Sequence, residues 1–556
     1  MRIGRKIGRP AAWLPASFLV AAVISAGAFE GGITSITPAS LKEWLSYIAS
    51  DQLQGRNPSS AGLGLPTGYI QEHLRAWGVA PAGDPGQYLQ TVRVLGVKST
   101  THSSVTVKVG NETRTFHDGE GINFPRNMGG KQTFTTDRVE FVGYGLDVAA
   151  ANHVDYGGKD VRGAVVVYLG ASAPRGVDGA EYRRLMTGRS RYAIDQKQAA
   201  ATVGPRGTGG QGRGGAAAAG GGGGRGSAPD FTTTQRLDQP VAPTVTADDP
   251  FFTFLFSRSK ARYEDLKRMG HAHGALPSFR IEGVTLTFEV DATYDIVRTQ
   301  LTHNVVGIVE GSDPQLKNTF VAFGAHYDHV GYSDGQSGGR SPGRVTSGAN
   351  DDRIWNGADD DGSGTVTLMA LARAFAEGPR PRRSLLFVWH AGEERGLLGS
   401  RYFADYPTVP MDKIVTQLNI DMIGRNRDDK PEESNTVYLV GSDRISSELH
   451  EINRAANRSL PKPLTLDYEM NDVSDLEQVY YRSDHYSYAA KGIPIIFFTT
   501  GLHADYHANT DEVSKIEFDK MARVAQLVYE TGLRVANLDH APERDNKGPR
   551  AGRDTK

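Results

Sequence analysis

Three consecutive aspartates, Asp359, Asp360 and Asp361, pose the first chemical question in this sequence. Small residues follow them, and an apolar run comes next. Like charges repel, and a partly buried carboxylate without a partner is costly. A solvated acidic turn is the simplest interpretation of this stretch alone, because Asp and Gly are common turn residues. Other clusters of acidic and histidine residues must therefore decide whether a cation belongs here.

Four further stretches carry possible metal ligands directly after apolar runs. They are residues 326–329 (His-Tyr-Asp-His), 390–394 (His-Ala-Gly-Glu-Glu), 419–422 (Asn-Ile-Asp-Met) and 503–511 (His-Ala-Asp-Tyr-His-Ala-Asn-Thr-Asp). The chain has no cysteine, so any metal here must be held by His, Asp and Glu. Zinc suits such ligands, and manganese or cobalt could substitute.

Alternating strands and helices must position these clusters. Apolar runs predict strands at 320–325, 384–389, 415–420 and 493–498, and helical spacing predicts a helix at 365–375. Near-continuous apolar strands separated by helices predict an α/β fold whose mostly parallel sheet is covered on both faces. Sites in such sheets form beyond the carboxyl ends of the strands. Five clusters delivered to one edge therefore favour metal binding over solvated turns.

Charge favours two ions in such a site. Three carboxylates and two neutral imidazoles carry about −3, so two divalent ions leave about +1, which a hydroxide can neutralise. A pair of ions polarises a carbonyl and generates hydroxide at neutral pH. Glu393 and Glu394 are adjacent, so on an extended chain their side chains point in different directions. One can bind metal while the other acts as a base.

The sequence resembles the two-zinc aminopeptidases of metallopeptidase family 28, whose relatives include glutamate carboxypeptidase. The resemblance covers residues 304–511 and rests on five motifs in matching order, which are Gly324-Ala-His-Tyr-Asp328, Gly357-Ala-Asp-Asp-Asp-Gly-Ser-Gly364, Gly392-Glu-Glu-Arg-Gly396, Asn419-Ile-Asp-Met422 and Tyr506-His-Ala-Asn-Thr-Asp511. It implies the zinc-exopeptidase fold, with a mixed, mostly parallel sheet flanked by helices. It also implies peptide substrates and two Zn²⁺ per chain, with Mn or Co possible.

The resemblance implies which residues hold the two ions. One ion would be bound by His326, Asp360 and Asp421. The other would be bound by Asp360, Glu394 and His507, so that Asp360 bridges them. Asp359 and Asp361 would then support the site without binding metal.

Four more residues receive roles beside the ligands. Glu393 would be the general base, and Asp328 would hold His326 in its ligating orientation. Tyr506 would stabilise the oxyanion, as a tyrosine beside the last histidine does in some members. His329 is expected to support the ligands or contact substrate rather than bind metal.

The N-terminus has the layout of a secretory signal peptide over residues 1–28. A basic start precedes an uncharged apolar middle, and Ala26-Gly-Ala28 supplies a small-x-small cleavage site. An uncleaved membrane anchor is the alternative, which Pro15 and the short apolar core disfavour. The expected location is secreted or periplasmic, with no stable membrane insertion after cleavage.

The remaining chain predicts a catalytic domain with an insertion. Residues 29–129 and 286–540 would form the catalytic domain, and 286–540 would carry the metal-binding part. Residues 130–285 lie where some relatives insert a β-rich protease-associated domain, with a disordered Gly-rich loop at 204–227. A charged, disordered tail is expected at 541–556. A Gly/Ser-rich loop at 331–352 could narrow the cleft.

An aminopeptidase that releases N-terminal residues from peptides is the function these features favour. Lys and Arg number 62 and Asp and Glu 64, so no global charge attracts nucleic acid or a membrane. The absence of His-Glu-x-x-His excludes a thermolysin-like site. Three alternatives stay open: a carboxypeptidase or dipeptidase with the same site, a non-catalytic receptor-like binding module, and a glutaminyl cyclase-like acyl transferase. The oligomeric state is not indicated.

Overall fold

A computed structural model of the chain describes residues 32–58, 60–177, 179–206, 229–333, 341–349, 351–545 and 553–554. The predicted signal peptide, the Gly-rich loop from residue 207 onward and most of the tail lie outside these ranges. The predicted loop at 331–352 is described in part. None of the helices in the described ranges is long and apolar enough to cross a membrane.

Four parallel strands lie in the middle of an eleven-stranded sheet. We label them β1 (Phe320–His326), β2 (Ser384–His390), β3 (Ile414–Ile420) and β4 (Ile495–Thr499). Their spatial order is β2-β1-β3-β4. Every residue of these strands is buried, which explains why they are apolar without alternation.

Antiparallel strands continue the sheet on both sides. Ala292–Val309 pairs with β2, and Thr436–Val440 pairs with β4. The other members are Ala80–Pro81, Leu89–Thr101, Phe231–Thr233, Thr465–Asp467 and Arg553–Asp554. The predicted α/β class with a mixed sheet is confirmed, and its parallel pairing is concentrated in the middle.

Helices cover both faces of this sheet. On one face lie α1 (Pro38–Ile48), α2 (Gly64–Ala76), α3 (Gly364–Glu377) and α4 (Phe518–Asn537), together with Ser447–Ser459. Leu398–Asp405 and His485–Ala489 lie on the other face. Alternate strand residues serve the two layers, because successive side chains of a strand point to opposite faces.

A second region has two smaller sheets and its own apolar core. The six-stranded sheet contains Ile122–Asn123, Val139–Val142, Val165–Val167, Ala201–Pro205, Thr244–Ala247 and Ser278–Arg280. The four-stranded sheet contains Ser104–Val109, Glu112–His117, Gln132–Thr136 and Val284–Val290. The helices of this region are Arg183–Thr187, Arg189–Arg191, Asp249–Leu255 and Tyr263–His271.

This second region starts earlier in the chain than the predicted boundary at residue 130. Ser104–Val109 pairs with Val284–Val290 and with Glu112–His117, so strands predicted to belong to the first part of the catalytic domain lie in a sheet of this second region. In the opposite sense, Phe231–Thr233 pairs with Leu89–Thr101 of the main sheet. Strand pattern alone does not reveal a partner far away in the sequence. That this region is a protease-associated domain stays a prediction.

Two short strand pairs complete the described strands. Gly331–Tyr332 pairs with Ile354–Trp355, which brings together the two ends of the loop predicted at 331–352. Asp147–Val148 pairs with His153–Val154 in the second region. The first pair lies directly before the aspartate triplet and therefore helps to place the site.

Candidate metal centre

Three predicted ligands meet at the carboxyl edge of the main sheet. His326 is the last residue of β1, Asp421 follows β3, and Asp360 lies just before α3. Nε2 of His326 lies 3.4 Å from Oδ1 of Asp360 and 3.7 Å from Oδ2 of Asp421. All three residues are buried and could hold one ion together.

A second group of possible ligands shares Asp360. Nε2 of His507 lies 3.1 Å from Oδ2 of Asp360 and 2.9 Å from Oε2 of Glu394. Nδ1 of His329 lies 2.8 Å from Oε1 of Glu394 and 3.9 Å from Oδ2 of Asp360. His329, Asp360 and Glu394 have ligand atoms close enough to hold a second ion. The structure thus brings all five predicted ligands together and adds His329.

The residues present fit divalent cations. Oδ2 of Asp360, Oε1 of Glu394 and both ring nitrogens of His329 are buried without a hydrogen bond to any described residue. An unsatisfied buried polar group costs about 1–3 kcal/mol, and buried charges are usually paired or coordinate metal. Imidazole nitrogens and carboxylate oxygens without thiolates are ligands that zinc accepts.

Contacts among the ligands shift the pKa values of Asp360 and His507 toward their charged forms, whereas burial raises the pKa of Asp421. Burial raises the pKa of Asp360, but contacts with His326 and His507 outweigh burial and hold it well below its usual value. Burial lowers the pKa of His507, yet Glu394 and Asp360 raise it to about 11. An imidazole must lose its proton to bind a cation, so metal binding here competes with protons.

Glu393 lies beside the first group without belonging to it. Its Oε2 is 3.9 Å from Nε2 of His326, and its side chain lines a cleft. Burial raises the pKa of Glu393 well above its usual value; His326 opposes this shift, whereas Glu394 and Asp421 reinforce it. A carboxyl group with a raised pKa is suited to accept and return a proton near neutral pH.

Asp328 acts on the site differently from the prediction. Nδ1 of His326 lies 3.1 Å from the backbone carbonyl oxygen of Asp328 and 3.7 Å from its carboxylate. The carboxylate instead accepts hydrogen bonds from the backbone N–H groups of Gly392 and Glu393 at 2.7 and 3.1 Å. The backbone of Asp328 therefore orients His326, and its side chain fixes the turn that carries Glu393.

Each aspartate of the triplet has a different environment. Asp361 accepts backbone hydrogen bonds from His326, Gly364 and Met422, so it joins β1, α3 and the turn after β3. Asp359 accepts from the backbone of Gly424 and lies 3.2 Å from Nε2 of His503. Asp360 is the member that faces the other ligands. Asp359 and Asp361 instead bind backbone N–H groups around it.

Asp511 supports the same turn from the last motif. Its carboxylate accepts hydrogen bonds from the backbone N–H groups of Asp359 and Asp360 at 3.0 and 3.1 Å. Burial raises the pKa of Asp511 to about 6, and the charge of Asp359 adds to the shift. The motif that supplies His507 thus also holds the backbone of the shared ligand.

Sequence reasoning missed the role of Arg56. Its guanidinium is fully buried and donates to backbone carbonyl oxygens of Ile48, Tyr327, Asn356 and Gly357 at 2.5–3.0 Å, with Asp360 at 3.5 Å. Its own carbonyl accepts the N–H of His329. Neighbouring Gly55 has φ +63, and a Cβ there would overlap backbone oxygens of Gly331 and Trp355. The motif Gly55-Arg56 was the available signal, but all its acceptors except Ile48 lie 271–304 residues away in the chain.

We expect Arg56→Met to destabilise the site and weaken metal binding. The change leaves several buried carbonyl oxygens without a donor, so the free energy of unfolding should fall by about 3 kcal/mol or more. Arg189→Met is a matched control, because buried Arg189 also donates to carbonyl oxygens but lies in the second region. Urea unfolding and Zn²⁺ titration of both variants measure the effect. Arg56→Met protein that retains wild-type affinity for zinc would contradict this role.

A cleft opens beside the two ligand groups. Its floor carries Asp360, Glu393, Asp421 and His507. Its walls combine apolar and polar side chains, and the apolar ones are Met422, Met470, Val479, Phe497 and Leu502. This combination of a reactive floor and partly apolar walls is typical of a small-molecule or side-chain pocket.

Tyr506 lies at the rim of this cleft beside His507, with ring centroids 4.0 Å apart. Nη2 of Arg482 donates to its hydroxyl oxygen at 3.2 Å. Burial and the nearby carboxylate of Asp360 raise the pKa of Tyr506, so its hydroxyl keeps its proton. Because that oxygen already accepts from Arg482, its own O–H is free to donate to a group in the cleft.

Comparisons with known proteins identify the segment that carries the site. The family described as Peptidase family M28 matches residues 304–532. Leucine aminopeptidase 1 of Trichophyton equinum is 28% identical over 236 residues, which are 41% of this chain and 56% of that protein. Leucine aminopeptidase 1 of Arthroderma gypseum is 28% identical over 238 residues, with the same two shares. The chain thus spans about half the length of the curated relatives it matches.

Among solved structures, the aminopeptidase from Aneurinibacillus sp. strain AM-1 is 18% identical, with 94% of this chain and 98% of that chain covered and a TM-score of 0.42. The family match includes all the residues of both ligand groups, from His326 to His507, and it also includes Glu393 and Tyr506. Residues 304–532, the segment that carries the site, are therefore similar to the family described as Peptidase family M28.

Proposed function

We propose that this protein is a zinc-dependent aminopeptidase that removes N-terminal residues from peptides. The carrying observation is the pair of buried ligand groups that share Asp360, with Glu393 beside them at the floor of a cleft. In the proposed site, His326, Asp360 and Asp421 hold one Zn²⁺, and Asp360, Glu394 and His507 hold the other. Manganese or cobalt could replace zinc with the same ligands.

Two bound ions would supply polarisation of the scissile carbonyl and a water that ionises at neutral pH. Glu393 accepts a proton from the attacking water and delivers it to the leaving amine, a step that requires a carboxylate within reach of both. The Tyr506 hydroxyl donates a hydrogen bond to the oxygen that becomes negative. Arg482 keeps that hydroxyl in place by donating to its oxygen.

Two observations favour recognition of a free amine over a free carboxylate. The guanidinium of Arg482, which lines the cleft, is already paired with Glu477 at 2.8 Å. The curated relatives that match this segment are named leucine aminopeptidases. Arg482 is nevertheless the group in this cleft that could bind a carboxylate, so a carboxypeptidase is the second candidate.

Blocked peptides separate these two candidates. We expect acetylation of the substrate amine to abolish turnover and amidation of its carboxyl group to leave turnover nearly unchanged. The measurement is product release by purified zinc-loaded protein from three otherwise identical tripeptides. The opposite pattern would make the protein a carboxypeptidase. If no tripeptide is cleaved but a peptide with N-terminal glutamine is cyclised, an acyl transferase would be favoured. A receptor-like module would hydrolyse none of them.

The apolar wall residues predict a preference for apolar N-terminal residues. Met422, Met470, Val479, Phe497 and Leu502 offer no partner to a charged side chain, and Arg482, which also lines the cleft, is already paired with Glu477. Burying a Leu side chain contributes about 1.5–3 kcal/mol, whereas an unpaired carboxylate is costly to bury. We therefore expect kcat/KM for a leucyl anilide to exceed that for a glutamyl anilide by at least about 100-fold. Equal rates on the two anilides would show that the side chain lies outside this pocket.

Secretion or export to the periplasm is part of the same proposal. It rests on the signal-like layout of residues 1–28, which lie outside the described part of the chain. N-terminal sequencing of protein recovered from a secreting host tests it. A mature chain that begins after Ala28 is the expected result.

A further inference from the structure

His329 has a position that its predicted supporting role does not explain. It is fully buried three residues after β1 ends. Its Nδ1 lies 2.8 Å from Oε1 of Glu394 and 3.9 Å from Oδ2 of Asp360. Its ring fits closely against Gly357, where φ is +56 and a Cβ would overlap the imidazole. The backbone is therefore shaped to hold this ring against the second ligand group.

The orientation of the His329 ring indicates its role more clearly than its distance from Glu394 does. Nδ1 is close to the Glu394 oxygen, yet neither ring nitrogen makes a hydrogen bond to any described residue. Nδ1 of His329 and Oε1 of Glu394 are thus close, but they are not aligned for a hydrogen bond. Two ligands of one ion have this relation, because both atoms point at the ion rather than at each other. A merely supporting histidine would donate directly to the carboxylate.

We propose that His329 is a metal ligand, so that the ion at Asp360, Glu394 and His507 also binds Nδ1 of His329. The proposal rests on the function proposed above, since it concerns the same zinc site. Zinc takes nitrogen and oxygen ligands at about 2.0–2.2 Å, so tetrahedral neighbours lie about 3.3 Å apart. The contacts of His329 and His507 with Asp360 and Glu394 span 2.8–3.9 Å.

The two ions would then differ in their protein ligands. His326, Asp360 and Asp421 give one site three ligands, which is the number found where a position stays open to substrate. His329, Asp360, Glu394 and His507 give the other site four, which is the number found in closed sites. We therefore expect the four-ligand site to bind zinc more tightly.

Counting coordinated imidazoles tests the assignment directly. In cobalt-loaded wild-type protein, each histidine bound through one nitrogen keeps an N–H on the other, and nearby Co²⁺ shifts its proton signal. We expect three such exchangeable signals in the ¹H NMR spectrum, from His326, His329 and His507, and two in His329→Gln. The control His450→Gln, at a buried histidine on the helix Ser447–Ser459, should keep three. Two signals in the wild type would overturn the proposal, and this result needs no folded variant.

Titration of Zn²⁺ into metal-free protein gives a second readout that does not involve activity. His329→Gln should raise the dissociation constant of one of the two ions by more than the about 10–100-fold that loss of an outer-shell partner costs, and leave the other within about threefold. Unchanged binding of both ions would mean that His329 does not coordinate. These outcomes are distinct from failure of the proposed function, because a protein that binds two ions through three histidines and cleaves no peptide would refute only the activity.

Discussion

Glu393→Gln should lower kcat by at least about 100-fold while both zinc ions stay bound. The amide keeps the shape of the side chain but cannot accept a proton, and general-base catalysis typically contributes about 10²–10⁴-fold. Because proton transfer is needed in the transition state and not for substrate binding, KM should change little. Steady-state kinetics and metal analysis of the same preparation measure both quantities.

Glu394→Gln is the matched control for this experiment. Its carboxylate lies 2.9 Å from Nε2 of His507 and 2.8 Å from Nδ1 of His329, so its loss acts on the second ligand group. We expect one ion to be lost or weakened and activity to fall because metal is missing. Excess zinc should partly restore the activity of Glu394→Gln and leave Glu393→Gln inactive. Loss of metal from Glu393→Gln, or near-normal kcat with both ions bound, would show that the two roles are wrongly assigned.

Asp360→Asn should abolish tight binding of both ions, whereas Asp361→Asn should mainly cost stability. Asp360 is the ligand that the two groups share, so its replacement removes a ligand from each. We expect both dissociation constants to rise by about 100-fold or more and activity to be lost. In the metal-free protein this change removes the contacts of the carboxylate with His326 and His507, so zinc affinity rather than stability is the readout that identifies the shared ligand.

Asp361→Asn changes a carboxylate whose two oxygens accept three backbone N–H groups. An amide has one oxygen, so at least one N–H loses its acceptor and meets another donor. The free energy of unfolding should fall by about 2 kcal/mol or more. Zinc titration and urea unfolding of the two variants form a crossed comparison. If Asp361→Asn lost both ions and Asp360→Asn retained them, the shared ligand would be Asp361 and not Asp360.

Much of the site could be predicted because its signals are local. The strands β1, β2, β3 and β4 are short apolar runs, and the predicted ends agree with the observed ones within one or two residues. Parallel strands end at the same edge, so the side chains that follow them had to converge. The family resemblance added specific ligands. In the structure, Asp360 lies beside His326 and His507, which in turn lie beside Asp421 and Glu394.

The boundary of the second region could not be predicted in this way. Ser104–Val109 has the alternation of an ordinary strand, and nothing in its own residues tells which sheet it joins. Its partner Val284–Val290 lies about 180 residues later in the chain. A strand's partner is decided by the packing of the whole region. The alternation of apolar and polar residues predicts only that a segment is a strand and which of its faces is buried.

The sequence by itself determined which side chains are available: no thiolate, carboxylates and imidazoles directly after apolar strands, and a neighbouring pair of glutamates. Tertiary structure decided the positions that depend on distances between remote atoms. It made the backbone of Asp328 the partner of His326, brought Arg56 beneath the turn of Asp360, and turned His329 toward Glu394. The reason is physical: residue type and strand order are written locally, whereas the direction of a buried side chain is fixed by neighbours that arrive from elsewhere in the chain.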